Sequence, residues 1–75
     1  MTLRDLIEGV TEIQGEVVVR QFSNEADDII GENPLDEISN DSFVWGNEIL
    51  YMYADFGDIR NRADAPILFI EVEAD

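Results

Sequence analysis

Apolar residues recur at Leu3, Leu6, Ile7 and Val10, with Ile13 beyond them. That spacing draws a single stripe along a helix. Thr2 precedes the stripe and Asp5 follows three positions later, a T-x-x-D capping box with an acid near the positive helix end. Arg4, Glu8, Thr11 and Glu12 fall largely elsewhere on that surface. Gly9 weakens the helix and Gly15 supplies a stop, so the pattern predicts a helix over about residues 3–13.

From Glu16 the period changes. EVVVRQF, residues 16–22, has three consecutive β-branched residues and reads as a strand. Residues 23–42 carry Asn24, Gly31, Asn33, Pro34 and Asn40 among seven acids, with Ile29, Ile30, Leu35 and Ile38 as apolar anchors. A short strand near 28–30 and a helical turn near 34–39 both satisfy that pattern. Phe43-Val44-Trp45, then Gly46-Asn47, then EILYMYA predicts a hairpin whose two-residue turn takes positive φ at Gly-Asn. Residues 55–66, DFGDIRNRADAP, read as a loop. Residues 67–73 read as a closing strand in which Leu68, Ile70 and Val72 alternate with Phe69, Glu71 and Glu73. The expected fold class is α+β in one domain, 1–75: an N-terminal helix packed on a small, mostly antiparallel sheet of three to four strands.

One short helix covers only one face of a sheet. EILYMYA is apolar on both faces, with Ile49, Tyr51 and Tyr53 on one and Leu50, Met52 and Ala54 on the other. The uncovered face is therefore expected to show Tyr51 and Tyr53, with Phe69 beside them. Either the 23–42 segment or a second subunit covers it, or it is a binding patch.

Charge then changes the picture. The 75 residues hold 18 Asp and Glu against four Arg, with no Lys, His or Cys, for a formal charge of −14. Clustered aliphatic and aromatic residues separate the chain from a disordered acidic tail, and its size sets a net stability of ~4–11 kcal/mol. Disulfides and thiolate metal sites are excluded. There is no long apolar window and no leader-like N-terminus, so a cytoplasmic protein is expected. Direct binding to nucleic acid or to an anionic membrane is opposed by charge.

The usual bases, nucleophiles and Schiff-base formers are missing, and no glycine-rich phosphate loop is present. The expectation is a non-enzyme without cofactor or metal. Two oxygen-rich groups, Asp55, Asp58, Asn61 and Asp64, and Asp36, Glu37, Asn40 and Asp41, admit only weak calcium binding, since neither follows the EF-hand order.

Three readings of the charge follow. The first is mimicry of nucleic acid. Duplex DNA presents about 17 charges over a length of ~30 Å, close to the diameter of a domain this size. Its candidate contacts are Glu25, Asp27, Asp28, Glu32, Asp36, Glu37, Asp41, Glu71 and Glu73, with Tyr51 and Tyr53 as aromatic anchors. Trp45 is either a third aromatic contact or part of the core, and a lone Trp in a domain this small favours the core. The second is halophilic adaptation, which the missing Lys favours and which nine Ile and five Asn oppose. The third is a small acidic structural or homo-oligomeric protein whose charge serves solubility.

TLRDLIE, EVVVR, FVWGNEILYMYAD and the acidic closing strand together resemble, in layout, the small acidic α+β proteins of phages and mobile elements. Some of those are anti-CRISPR inhibitors that occupy the nucleic-acid site of a Cas nuclease. The resemblance implies a host-directed inhibitor acting by stoichiometric binding, and it carries over no functional residue. The expected partner is a basic nucleic-acid-binding protein, a Cas nuclease among the candidates.

Overall fold

In the computed structural model, which describes residues 1–10 and 13–74, both halves of the capping box form. The Thr2 hydroxyl accepts the Asp5 N–H at 3.2 Å, and the Asp5 carboxylate accepts the Thr2 N–H at 3.1 Å. That backbone donor holds the Asp5 carboxyl below its ordinary pKa. Helix α1 (Leu3–Glu8) nevertheless has only six residues and does not reach residue 13. Gly9 is its cap, and a Cβ there would lie 3.2 Å from the Asp5 carbonyl oxygen. Thr11 and Glu12 lie outside the described residues. Ile13 still packs on the core beneath α1, and Gly15 turns the chain with φ 94°.

Four strands follow: β1 (Glu16–Ser23), β2 (Asp28–Pro34), β3 (Ile49–Ile59) and β4 (Arg62–Glu73). They form one sheet in the order β2-β1-β4-β3, so β2 and β3 are its edges. The β1–β2 and β3–β4 ladders are antiparallel, whereas β1 and β4 run parallel. The fold is a small α+β arrangement with one short helix and a four-stranded mixed sheet. Both options for residues 23–42 occur in succession, since β2 ends in a 3-10 turn at Leu35–Glu37. No helix among the described residues is long and apolar enough to cross a membrane.

The expected hairpin at Gly46-Asn47 does not form. Phe43–Gly46 winds into a second 3-10 turn, begun by the Ser42 hydroxyl accepting the Val44 N–H at 3.3 Å. Winding buries Val44 and lets the Trp45 indole N–H donate to the Ser39 carbonyl at 2.8 Å, so no strand is left to pair with 49–54 from that side. The true hairpin joins β3 to β4. Its two turn residues, Arg60 (φ 50°) and Asn61 (φ 65°), both have positive φ, as a two-residue turn matched to strand twist requires. Residues 55–66, expected as a loop, are therefore mostly strand. Their acids are absorbed locally: the Asp58 carboxylate accepts the Asp64 N–H at 3.2 Å, where Asp64 (φ 52°) sits at a register shift.

Another shift, at Leu50, changes which residues share a face. Ile49 pairs with Val72 but Tyr51 pairs with Glu71, so Ile49 turns to the helix side and Tyr51 away from it. The expected grouping of Ile49 with the tyrosines is overturned by that one extra residue. Beneath α1 lies a core of Leu3, Val17, Val19, Val44, Ile70 and Val72. Each of its larger side chains contributes about 1.5–3 kcal/mol by leaving water. The opposite face has its own cluster of Val18, Ile59, Ala65, Ile67 and Phe69, flanked by Tyr53. Three consecutive valines in β1 are buried because the sheet is apolar on both sides there.

Candidate binding surface

The long β3–β4 hairpin folds its tip toward the start of β1. Arg60 and Arg62 reach Glu16 at 3.8 and 3.7 Å, and Arg60 also bonds Asp36. Ile59 and Ala65 close down beside Val18. Between this tip and β2 lies a cleft of about 300 Å³, lined by Val18, Arg20, Glu32, Asp58, Ile59 and Phe69 among others.

Across the middle of this helix-free face, register places Glu32, Arg20, Glu71 and Tyr51 in one row over β2, β1, β4 and β3. The Arg20 guanidinium donates to Glu32 at 2.7 Å and to the Tyr53 hydroxyl at 3.0 Å, and lies 4.0 Å above the Phe69 ring centre. Tyr53 stacks on Phe69 with centroids 5.4 Å apart and donates to Glu71 at 2.6 Å. Burial raises the Tyr53 pKa and the hydrogen bond to Glu71 adds to it, so its hydroxyl stays protonated near neutrality. Burial alone would lower the Arg20 guanidinium, but Glu32 and Tyr53 hold it above its ordinary value.

Tyr51, Tyr53 and Phe69 do share the face without the helix, though unequally exposed. Tyr51 is 66% exposed, Tyr53 is half-buried, and Phe69 is only 5% exposed beneath Arg20 and Tyr53. Glu71 and Glu73 point to the same side, about 6.7 Å apart along β4. Glu73 pairs with Phe22, and the Ala74 N–H donates to the Phe22 carbonyl at 2.8 Å. This brings the end of β4 beside the turn that carries exposed Glu25, Asp27 and Asp28. Glu73, Glu71 and the Arg20-bound Glu32 share the tyrosine face, whereas Asp28, paired with Ser23, falls on the helix side and, with Glu25 and Asp27, adds charge at that end of the sheet.

Asp36, Glu37 and Asp41 are not part of this group. They follow the far end of β2, about 20 Å from its start. From there the chain crosses the helix side, where Leu35, Ile38 and Trp45 join the first core. Asp36 is held by Arg60, and Asp41 accepts the Ser39 hydroxyl, which lowers its pKa. Among the described residues, no three acidic side chains converge to hold a metal ion.

The residue missed from sequence is Arg20. Alternation in EVVVRQF puts it on the Val18 side, but only the ladder to β4 reveals that Phe69 lies beneath it. No protein-family model, no curated protein and no solved structure matches this chain.

Proposed function

We propose that the chain is a non-enzymatic binding protein, an inhibitor that presents its helix-free sheet face to the basic groove of a nucleic-acid-binding protein. One observation carries the reading: Glu71 and Glu73 share with exposed Tyr51 a sheet face that no helix covers among the described residues, and exposed Glu25, Asp27 and Asp28 lie at the end of the sheet where Glu73 sits. The molecule measures 31 × 30 × 20 Å and carries −14. A duplex of that length carries about 17 charges, and the Glu71–Glu73 interval of about 6.7 Å resembles that between successive phosphates. Tyr51 supplies the desolvated anchor that a purely ionic contact lacks. A Cas nuclease is one partner with such a groove.

The test is displacement of labelled nucleic acid from a panel of basic nucleic-acid-binding proteins, Cas nucleases included. Exchanging Glu25, Glu71 and Glu73 for Gln, and Asp27 and Asp28 for Asn, is expected to weaken displacement about tenfold or more and flatten its salt dependence. The corresponding exchange at Asp36, Glu37 and Asp41 should change it little. Equal effects of the two sets, or no displacement by the natural protein, would refute the reading. A second reading, charge kept for solubility or high salt, is favoured by exposed Asp5, Glu8, Glu37 and Asp41 away from this face.

A further inference from the structure

We infer that the outer edge of β3 accepts an extended, basic segment of a partner protein as a fifth strand. This rests on the binding reading above but concerns a different surface, the strand edge. β3 has eleven residues and pairs on one side only. The start of this edge is already covered: Thr2 bridges Glu48, just before β3, antiparallel, and the Ile49 N–H donates to the Met1 carbonyl at 2.9 Å. The chain's own N-terminus thus pairs with the beginning of this edge in the manner proposed for the partner beyond it.

From Tyr51 onward no strand among the described residues covers the edge. The Phe56 N–H turns aside to the Asp55 carboxylate at 2.8 Å. Alternation back from Phe56 leaves the N–H and C=O of Met52 and Ala54 facing away from β4. Natural edges are commonly blunted by charge or proline, yet Tyr51-Met52-Tyr53-Ala54 has neither. Apolar side chains stand exposed on both faces of this one strand: Tyr51 on the helix-free side, Met52 (47% exposed) and Phe56 (70%) on the other. An occupant of one face would leave half of them wet, whereas an added strand flanks both rows.

Charge selects the occupant. β3 carries Asp55 and Asp58, Glu48 precedes it and Glu71 and Glu73 lie on the adjoining strand. Arg60 and Arg62, at the tip of the β3–β4 hairpin, are engaged by Glu16 and Asp36. A second copy would bring another −14 to the same edge, while a lysine- or arginine-bearing strand meets complementary charge.

The experiment uses the full chain and a fluorescent peptide of alternating Lys and Val. Controls are the same peptide N-methylated at alternate residues and a Thr/Val peptide without charge. Binding of the Lys/Val peptide is expected, with a loss of about tenfold or more on N-methylation, because several backbone hydrogen bonds vanish while charge stays. Ala54→Pro should cause a similar loss by removing an outward N–H. If that variant does not fold, the N-methylated peptide decides alone. Equal binding of the methylated and unmethylated peptides would overturn the edge proposal and leave the acidic-face reading standing. So would equally tight binding of the Thr/Val peptide, or no binding at all. A dimer seen by sedimentation without peptide, and lost in Ala54→Pro, would assign the edge to a second copy and overturn the proposal as well.

Discussion

Arg20 joins three groups that sequence separates widely. Its guanidinium ties Glu32 to Tyr53, and its plane roofs Phe69. Replacing it with Ala removes a cation–π contact of about 0.5–2 kcal/mol and the aliphatic cover over Phe69. Tyr53→Phe removes only the hydroxyl between Arg20 and Glu71, a loss of about 1 kcal/mol. Urea unfolding is expected to rank natural protein, Tyr53→Phe, then Arg20→Ala in falling stability. Arg20→Ala melting with the natural protein would mean that the guanidinium is merely a solvated charge. The side of the sheet that Arg20 occupies was legible in the alternation of EVVVR. Its partners were not, because they depend on which strands lie beside β1.

Local signals located most elements but paired them poorly. The capping box, β1 and the alternation of Leu68, Ile70 and Val72 formed as their residue patterns imply. The hairpin did not, because two turn signals competed. Gly46-Asn47 tolerates positive φ but is not placed there, while Arg60-Asn61 adopts it and only Asn61 advertises it. Ser42 decided the outcome by starting a 3-10 turn that buries Val44. In the candidate surface, the tyrosines and the Glu71–Glu73 row were readable from strand period. The split of the 25–41 acids between the two ends of β2 was not, because a strand had to be placed between them first. Asn61→Gly should stabilise the protein, and Asn61→Val should destabilise it by about 1–2 kcal/mol through left-handed strain. Thermal melting checks both, and a neutral Val variant would contradict the turn geometry.

At the scale of the whole molecule, −14 on a 31 × 30 × 20 Å body is self-repulsive. Ion pairs among the described residues tie down only Glu16, Glu32, Asp36 and Glu48. Sodium chloride is expected to raise the melting temperature as the screening length falls to about 8–10 Å near physiological strength. The protein should still melt cooperatively in dilute buffer, because two apolar clusters hold the sheet from either side. Unfolding in dilute buffer would instead mark the charge as an adaptation to brine.

The parallel β1–β4 ladder lies at the centre of the sheet, yet its partners are separated by more than half the chain: Val17 pairs with Leu68 and Val19 with Ile70. A nascent polypeptide holding only β1 and β2 has a ribbon whose valines lack the neighbour that will cover them. Nothing built before β4 can substitute for it, and long-range closure of this kind is slow. Premature termination within β4 should therefore give a protease-sensitive product without a stable fold.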